Sequence, residues 1–381
     1  MGGRTAASGS YDLAVVGAGI CGLAHALAAA NRGKRVVVID RDAQANGASI
    51  RNFGFVTVTG QQRGTCWQRA RRSREVWAEL APRAGIRIEQ EGLVVVARRP
   101  EAQAVLEAFL ATEMGEACEL LGPEAARRRF PMLGDGPFAA VLHSPHELRV
   151  ESRDAIPALA RWLAEAKGVV FLRETFACSV EPPSIETSRG RIAAEACIVC
   201  PGDDFLSLFP ERLTAYGLTR CKLHMLRVAP PAPGWRMQAP VMSDLGLVRY
   251  LGYAELPEAA ALRRRLEAEQ AAELANGVHL IAVQSRDGSL VVGDSHHYAT
   301  TPDPFAPDAV DALILGELRA VLDVPQPRVV ARWTGTYASA PDRLMLVDRP
   351  ADAVRLVLIT SGTGASTSFA IAEEVIRELY G

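Results

Sequence analysis

Residues 11–40, YDLAVVGAGICGLAHALAAANRGKRVVVID, decide the fold. They read as a strand, a glycine turn, a helix and a second strand that ends on an acid. Gly17-Ala18-Gly19-Ile20-Cys21-Gly22 supplies G-x-G-x-x-G directly after the apolar run Leu13–Val16. Gly17 permits the tight turn, Gly19 lets backbone approach a diphosphate, and Gly22 lets helix pack close against strand. The helix start presents free N–H groups and positive dipole density to phosphate oxygens. Asp40, 21 residues after Gly19, stands where a carboxylate can accept hydrogen bonds from ribose hydroxyls. The pattern predicts a dinucleotide without saying which, because FAD and NAD share the adenosine ribose and the diphosphate.

The rest of the composition limits what such a unit can belong to. At 381 residues there is room for two or three domains with sizeable cores. Hydrophobic content of 49% and charged content of 23% are those of a soluble globular chain. A net charge of −2 argues against a nucleic-acid surface or a polybasic membrane anchor. No apolar run approaches the roughly 18 residues that a membrane span needs. Residues 1–10, MGGRTAASGS, read as a flexible tail rather than a signal peptide. Seven scattered cysteines, an odd number, fit a reduced, cytoplasmic location. Cys197 and Cys200 form a C-x-x-C on an expected buried strand. Side chains at i and i+3 face opposite ways there, so core packing is the expectation. No Cys/His cluster has metal spacing, and no metal is expected.

Further along, helices are expected over 65–84, 100–116, 123–129, 151–166, 255–276, 308–323 and 369–380. The 255–276 helix, rich in Ala, Glu and Arg, reads as solvated. Strands are expected at 93–97, 169–172, 176–180, 184–187, 191–192 and 196–200. This succession of parallel strand, meander and return strand completes the cofactor sheet in doubly wound nucleotide-binding proteins. Strands at 222–228, 247–252, 278–284 and 289–293 suggest a second, largely antiparallel sheet. Finally, 354–360 runs into Ser361-Gly-Thr-Gly-Ala-Ser366 and a helix, a second helix start able to hold anionic density. A ligand long enough to touch both turns would be FAD.

These pieces resemble the FAD-dependent D-amino-acid oxidase, glycine oxidase and sarcosine oxidase superfamily. The carriers are VVGAGICGLA (15–24), VIDRD (38–42), GASIRNFG (47–54), VCPGDDF (199–205), RWTGTYASAPDRLMLV (332–347) and SGTGAS (361–366). More narrowly, SIRNFGFVTVTGQ (49–61), CKLHMLR (221–227) and VVGDSHHYATTPDPF (291–305) look like the flavin oxidoreductase subgroup linked to aminophosphonate breakdown. The resemblance implies an α/β fold, with a Rossmann-like FAD-binding domain carrying a β-meander and a mixed, largely antiparallel substrate domain. The FAD domain would be discontinuous, at 11–84, 150–210 and 330–381, with the substrate domain at 85–149 and 211–329. By the same resemblance Gly17, Gly19, Ile20, Cys21 and Gly22 would hold the diphosphate, Asp40 the ribose, and Arg41 would flank the adenine. Ala48, Ser49, Arg51, Asn52 and Gly54 would line diphosphate and flavin. Phe176 would pair its backbone with adenine, and Pro201, Gly202 and Gly335 would lie along the coenzyme. Gly362, Thr363, Gly364, Ala365 and Ser366 would aim a helix dipole at flavin N1/O2, where reduced flavin is anionic. Some monomeric sarcosine oxidase relatives tether flavin through a cysteine in the stretch matching Trp333–Asp342. This chain has none there, so the FAD is expected to be non-covalent.

The implied chemistry is hydride transfer from an amine carbon to flavin N5, with reoxidation by O2 to H2O2 or by another electron acceptor. Such transfer needs a neutral amine nitrogen, whose lone pair stabilises the developing iminium. His296 and His297, at the end of a substrate-domain strand, are candidates to take the amine proton. Each could equally be a structural or solvent-facing histidine, because alternation sends neighbours to opposite faces. His224 and Tyr250 are weaker candidates, and His143 and His146, flanking a Ser-Pro turn, read as surface. An anionic substrate group needs a cation, and arginine pairs two oxygens at once. Arg249 and Arg332, beside aromatic residues, are preferred over Arg51, Lys222 and Arg343. The favoured substrate is 2-aminoethylphosphonate or its N-methyl form, giving phosphonoacetaldehyde. The alternatives are a glycine, sarcosine or D-amino-acid oxidase, a flavin amine dehydrogenase, and an NAD-dependent enzyme or flavin-free nucleotide-binding regulator.

Overall fold

A computed structural model of the chain describes residues 10–381, so the expected tail lies, but for Ser10, outside the described residues. Two sheets make up a mixed α/β fold. The eight-stranded first sheet has at its centre Tyr11–Val16, flanked by Val36–Ile39 on one side and Gly190–Val199 on the other. Val170–Leu172 extends it past Val36–Ile39, and Val354–Ile359 past Gly190–Val199, all in parallel. Met345–Ala351 adds an antiparallel edge, and Ala177–Glu181 with Ser184–Thr187 form the meander.

Side-chain alternation makes both faces apolar, as buried parallel strands require. Leu13, Val15, Val36 and Val38 meet helices Ile20–Ala30, Thr65–Arg83, Ser152–Lys167 and Gly364–Tyr380. Ala14, Val37, Ile39 and Val199 face the meander side. Cys197 and Cys200 fall in these two different clusters, on opposite faces, and all seven cysteines are free. Trp77, wholly buried, donates its indole N–H to the Ala365 carbonyl at 2.9 Å and meets Phe369 edge-on at 5.2 Å. That contact ties helix Thr65–Arg83 to the second glycine turn.

The ten-stranded second sheet is antiparallel except where Val241–Ser243 runs parallel to Ile88–Ala97. Its longest ladder joins Thr219–Val228 to Val329–Ser339, from Thr219 opposite Ser339 to Val228 opposite Val329. Strand Val329–Ser339 and the short strand Phe55–Val56 therefore hydrogen-bond into the second sheet, although the expected boundaries placed both segments with the coenzyme domain.

Several expected elements come out differently. Residues 247–252 are not a strand. Asp244–Val248 is a 3-10 turn and Leu251–Ala254 one helical turn. The run of buried Leu245, Leu247 and Val248 imitates a core strand, and a short apolar run carries no period to distinguish the two. Asp244 draws the chain into the turn by accepting from Arg98 N and from the Arg99 guanidinium. The 255–276 helix is two, Ala259–Glu269 and Ala271–Ala275. They part at Gln270, whose amide is held by Arg99 and Glu317, and Leu262 and Leu266 are fully buried. Helix Pro100–Leu110 stops before 116, followed by a 3-10 turn at Glu113–Gly115. Strand Ala140–Val150 was not expected. Its Pro145 sits where the ladder to Ile88–Ala97 slips register, which is where a strand tolerates proline. His143 and His146 on this strand are half-buried rather than surface residues. The last helix begins at Gly364, inside the glycine turn, rather than at 369.

Candidate active site

Three neighbouring parallel strands, Tyr11–Val16, Gly190–Val199 and Val354–Ile359, end at one edge of the first sheet, where open α/β sheets bind ligands. The chain leaves two of them through the glycine turns. Gly17 has φ +100°, and a Cβ there would lie 2.4 Å from the Cys200 carbonyl oxygen. A Cβ on Gly22 would lie 1.9 Å from the Gly17 carbonyl oxygen, so helix and turn touch backbone to backbone. Helices Ile20–Ala30 and Gly364–Tyr380 both start without a cap from their own N-cap residue, Gly19 and Thr363, and without an acid in the first turn, and Ser49 takes one N–H of the first. Their positive ends are left for a ligand.

Between these turns and the second sheet lies a cavity of about 410 Å³. The structure brings to its wall Gly19, Ile20, Cys21 and Gly22 from the first turn and Gly362, Thr363, Gly364, Ala365 and Ser366 from the second. Ala48, Ser49, Arg51 and Asn52 join them, with Gly202 and Gly335. Ser49 Oγ accepts from Ile20 N at 2.9 Å, and Trp333 donates to the Arg51 carbonyl at 3.1 Å, which fixes the 47–54 loop between the two sheets.

The lining does not include Gly17, Asp40, Arg41, Gly54, Phe176 or Pro201. Asp40 instead holds the turn, accepting from Ala18 N at 2.5 Å and from Asp42 N at 2.9 Å. Arg41 pairs with Asp204 at 2.8 Å. Gly54 is required by packing, since a Cβ there would sit 1.8 Å from the Val150 carbonyl oxygen. The Phe176 backbone already exchanges hydrogen bonds with Ser188, its N–H to Oγ at 3.0 Å and its carbonyl from N–H at 2.8 Å.

Of the candidates for chemistry, Arg249, Tyr250 and His296 line the cavity, while His297 and Arg332 do not. His297 turns its ring to Asn276 Oδ1 at 3.1 Å. Arg332 reaches Asp311 at 2.5 Å on the other side of its strand, where His224 also meets that carboxylate at 3.0 Å. Lys222 is held by Asp303 and the Phe305 carbonyl, and Arg343 by Asp342. Arg249 is different. It donates to Tyr298 Oη at 2.9 Å, and among the described residues no carboxylate oxygen comes within 4.0 Å of it. Burial works against its charge, and the phenols of Tyr298 and Tyr337 beside it favour that charge.

Sequence reading missed Asp294, His279, Tyr298 and Tyr337, which also line the cavity. Asp294 and Tyr298 lie within two residues of His296, so proximity to that candidate was the available signal. His279 and Tyr337 carried none. Two trios of donor side chains come within 4.8 Å of one another, His279–Asp294–His296 and Cys21–His25–Cys200, which spacing along the sequence did not suggest. In the second, the hydrogen bond between Cys200 and Cys21 lowers the Cys21 thiol and raises that of Cys200, which burial pushes up further.

The cradle fits an extended dinucleotide: two helix starts free of acids, turns built on glycine, and a cavity touching both. The sequence profile of the DAO family, FAD dependent oxidoreductase, matches residues 12–378. The chain belongs to the DAO family. As in that family, its coenzyme is FAD and it is an oxidoreductase, which removes the NAD-dependent and flavin-free alternatives. Solved structures share the DAO-like fold. Glycine oxidase from Geobacillus kaustophilus superposes with a TM-score of 0.75 at 21% identity, covering 97% of this chain and 94% of that one. Glycine oxidase from Bacillus cereus gives 0.75 at 16%, covering 97% and 96%. Dithionite-reduced L-alpha-glycerophosphate oxidase from Mycoplasma pneumoniae with FAD bound gives 0.76 at 14%, covering 98% and 95%. No curated protein matches the chain by sequence. Among the described residues no helix is long and apolar enough to cross a membrane.

Proposed function

We propose that this DAO-family chain oxidises a small amine bearing an anionic group, with 2-aminoethylphosphonate or N-methyl-2-aminoethylphosphonate as the favoured substrate. The observation that carries this reading is Arg249, a guanidinium on the cavity wall without a carboxylate partner. A desolvated cation in that position is stabilised by an anionic ligand. Tyr298 and Tyr337 beside it add hydroxyl donors, enough with the fork of Arg249 for a group of three oxygens. The strings at 49–61, 221–227 and 291–305 support the phosphonate over the carboxylate.

FAD, when bound, supplies the two-electron acceptor. Gly19–Gly22 and Gly362–Ser366 would hold its anionic parts at the helix starts, and Arg249 would fix the substrate's anion. The carbon–nitrogen bond is oxidised to an imine, which water hydrolyses to phosphonoacetaldehyde and ammonia or methylamine. A peroxide assay over aminophosphonates, glycine, sarcosine and D-alanine tests the reading. Turnover of the aminophosphonates alone is expected, and turnover of the amino acids alone overturns it. The two glycine oxidases of like fold make the carboxylate reading the competitor to exclude. Fast dye reduction with slow peroxide formation would assign a dehydrogenase.

We also infer that the FAD is non-covalent, because Trp333–Asp342 holds no cysteine. Acid or heat denaturation should release it free, and flavin that stays on the polypeptide would contradict this. Seven free thiols support a reduced, cytoplasmic location.

A further inference from the structure

His279 from one stretch of chain, and Asp294 and His296 from another, line the cavity and are each more than nine-tenths buried. The hydrogens on these rings can be assigned from one contact. His296 Nδ1 lies 2.9 Å from the Gly277 carbonyl oxygen. A carbonyl only accepts, so Nδ1 carries the hydrogen and Nε2 of the neutral ring carries a lone pair. That lone pair faces Asp294 Oδ2 at 3.6 Å. On the other side His279 Nδ1 stands 3.2 Å from Asp294 Oδ1, and neither of these two atoms has an aligned hydrogen-bond partner. An ionised Asp294 thus looks across at a lone pair with no hydrogen between them. One proton added to the carboxyl replaces that unfavourable contact of anion and lone pair with an attractive one. The trio is a buried place shaped for one proton.

We propose that Asp294, set between His279 and His296, takes the proton from the substrate's ammonium group. This rests on the amine reading above. The ammonium N–H bond breaks and an O–H bond forms on Asp294. The electron pair stays on nitrogen, where it forms the C=N bond as hydride leaves the adjacent carbon for the coenzyme. Asp294 is the acceptor, and His279 and His296 are positioning residues that hold the carboxyl and stabilise its protonated form.

The charges around the trio agree. Facing the carboxyl are Arg249 and Tyr250 from the 244–254 turn, Cys221 from strand Thr219–Val228, and the two imidazoles. Burial holds Asp294 up to about 7 against the pull of Arg249. Burial and Arg249 together push His279 and His296 well below the usual histidine range, and His297 adds to this at His296. Tyr250 and Cys221 are pushed up by burial and keep their protons near neutrality. Asp294 is therefore the group of the trio that changes charge near pH 7. A metal cation in the same place would have to sit against the field of Arg249.

The test is anaerobic rapid mixing of the flavin-loaded enzyme with 2-aminoethylphosphonate across pH. It is paired with infrared titration of the carboxylic C=O stretch in the oxidised enzyme without substrate. The expected result is flavin reduction that falls tenfold per pH unit below about 7, with a C=O band titrating at the same pH. Asp294→Asn should lack that band, reduce at least about a hundredfold more slowly at pH 7, and recover as rising pH deprotonates the free amine. An unchanged acid limb in Asp294→Asn overturns the acceptor role alone. Flavin that no amine on the panel reduces, at any pH, overturns the amine reading and the role with it. Stoichiometric metal in the purified enzyme, lost in Asp294→Asn, also overturns the role. Should the variant fail to fold, the wild-type enzyme still decides, because a band and a limb titrating at different pH values overturn the proposal.

Discussion

The two ends of the cavity are built from different material. Where Gly19–Gly22 and Gly362–Ser366 meet, the wall is main chain and small side chains, held at Gly22 by a backbone contact too close for a methyl group. Where Arg249, Tyr250, His279, Asp294, His296 and Tyr298 meet, the wall is side chain, delivered by loops and strand ends of the second sheet. The first end recognises what every dinucleotide shares, phosphate charge, with groups that no substitution of side chains can change. On the proposed reading, the second end would distinguish one substrate from another, through a guanidinium, two phenols and a buried carboxyl. A fold of this kind can keep its coenzyme while altering its chemistry at one wall.

The comparison predicts opposite behaviour under mutation. At the backbone end one methyl group should be enough to do damage. Gly22→Ala puts a Cβ 1.9 Å from the Gly17 carbonyl oxygen, with backbone on both sides and nothing flexible to yield. It should give protein that is insoluble or purifies without flavin absorbance. Gly33→Ala is the control. Gly33 also has a positive φ, +74°, but a Cβ there meets nothing. It should keep its flavin and lose only about 1 kcal/mol from left-handed strain. Equal behaviour of the two variants would break the distinction.

At the side-chain end the fold should survive and the kinetics should not. Arg249→Met keeps the length and removes the fork. Flavin content and melting temperature should stay near those of the parent, while kcat/KM for the anionic amine falls by about a hundredfold or more, chiefly through KM. Arg249→Lys should recover only part of the loss, because an ammonium cannot offer two parallel donors. An uncharged amine of similar size should lose far less, and only through the Asp294 carboxyl, which Arg249→Met frees to rise further.

How much of this was legible in the sequence follows the same division. The glycine turns announced themselves because a diphosphate site is made from consecutive residues, and the chemistry of G-x-G-x-x-G is the chemistry of its own backbone. The meander and the parallel strands were legible for a similar reason, since hydrophobic alternation is local. The side-chain wall was legible only in part: Arg249, Tyr250 and His296 were named, and His279 and Asp294 were not. His279 and Asp294 meet because strands Ile281–Gln284 and Leu290–Gly293 pair, with Ile281 opposite Gly293, and no local pattern encodes that register. The segment carrying Arg249 was read as a strand, because burial of Leu245, Leu247 and Val248 hides the turn that Asp244 and Arg99 impose. Arg249 itself was picked out for standing beside an aromatic residue, a criterion that selected Arg332 equally well.

A stability experiment sharpens the account of the carboxyl wall. The Asp294 carboxyl is raised from 3.8 to about 7 in the folded chain. Between those values the unfolded chain has lost this proton and the folded chain keeps it. Stability from this group is thus full below about pH 4, is lost as pH rises, and is gone above about 7. The difference in unfolding free energy between parent and Asp294→Asn should therefore shift against the parent by about 1.4 kcal/mol per pH unit from 5 to 7, then level off. Denaturant titrations at several pH values measure it, and a flat difference would place the carboxyl's ionisation outside that window.

The smallest effect is expected at Arg332, and it is informative for that reason. Arg332 and Trp333 are neighbours on strand Val329–Ser339, so they project from opposite faces. Trp333 turns inward and donates to the Arg51 carbonyl in the 47–54 loop. Arg332 must then turn away, and it reaches Asp311 on helix Asp308–Val321, with half its side chain in solvent. The pair lies outside the cavity lining, so it bears on the packing of buried Asp311 and not on the substrate. Arg332→Ala should change kcat/KM by less than about twofold and leave flavin binding untouched. A large kinetic loss would mean that the strand presents its other face to the substrate. Arg249 would then no longer be the sole anion anchor, and the division between a backbone wall and a single side-chain wall would fail at the strand that joins them.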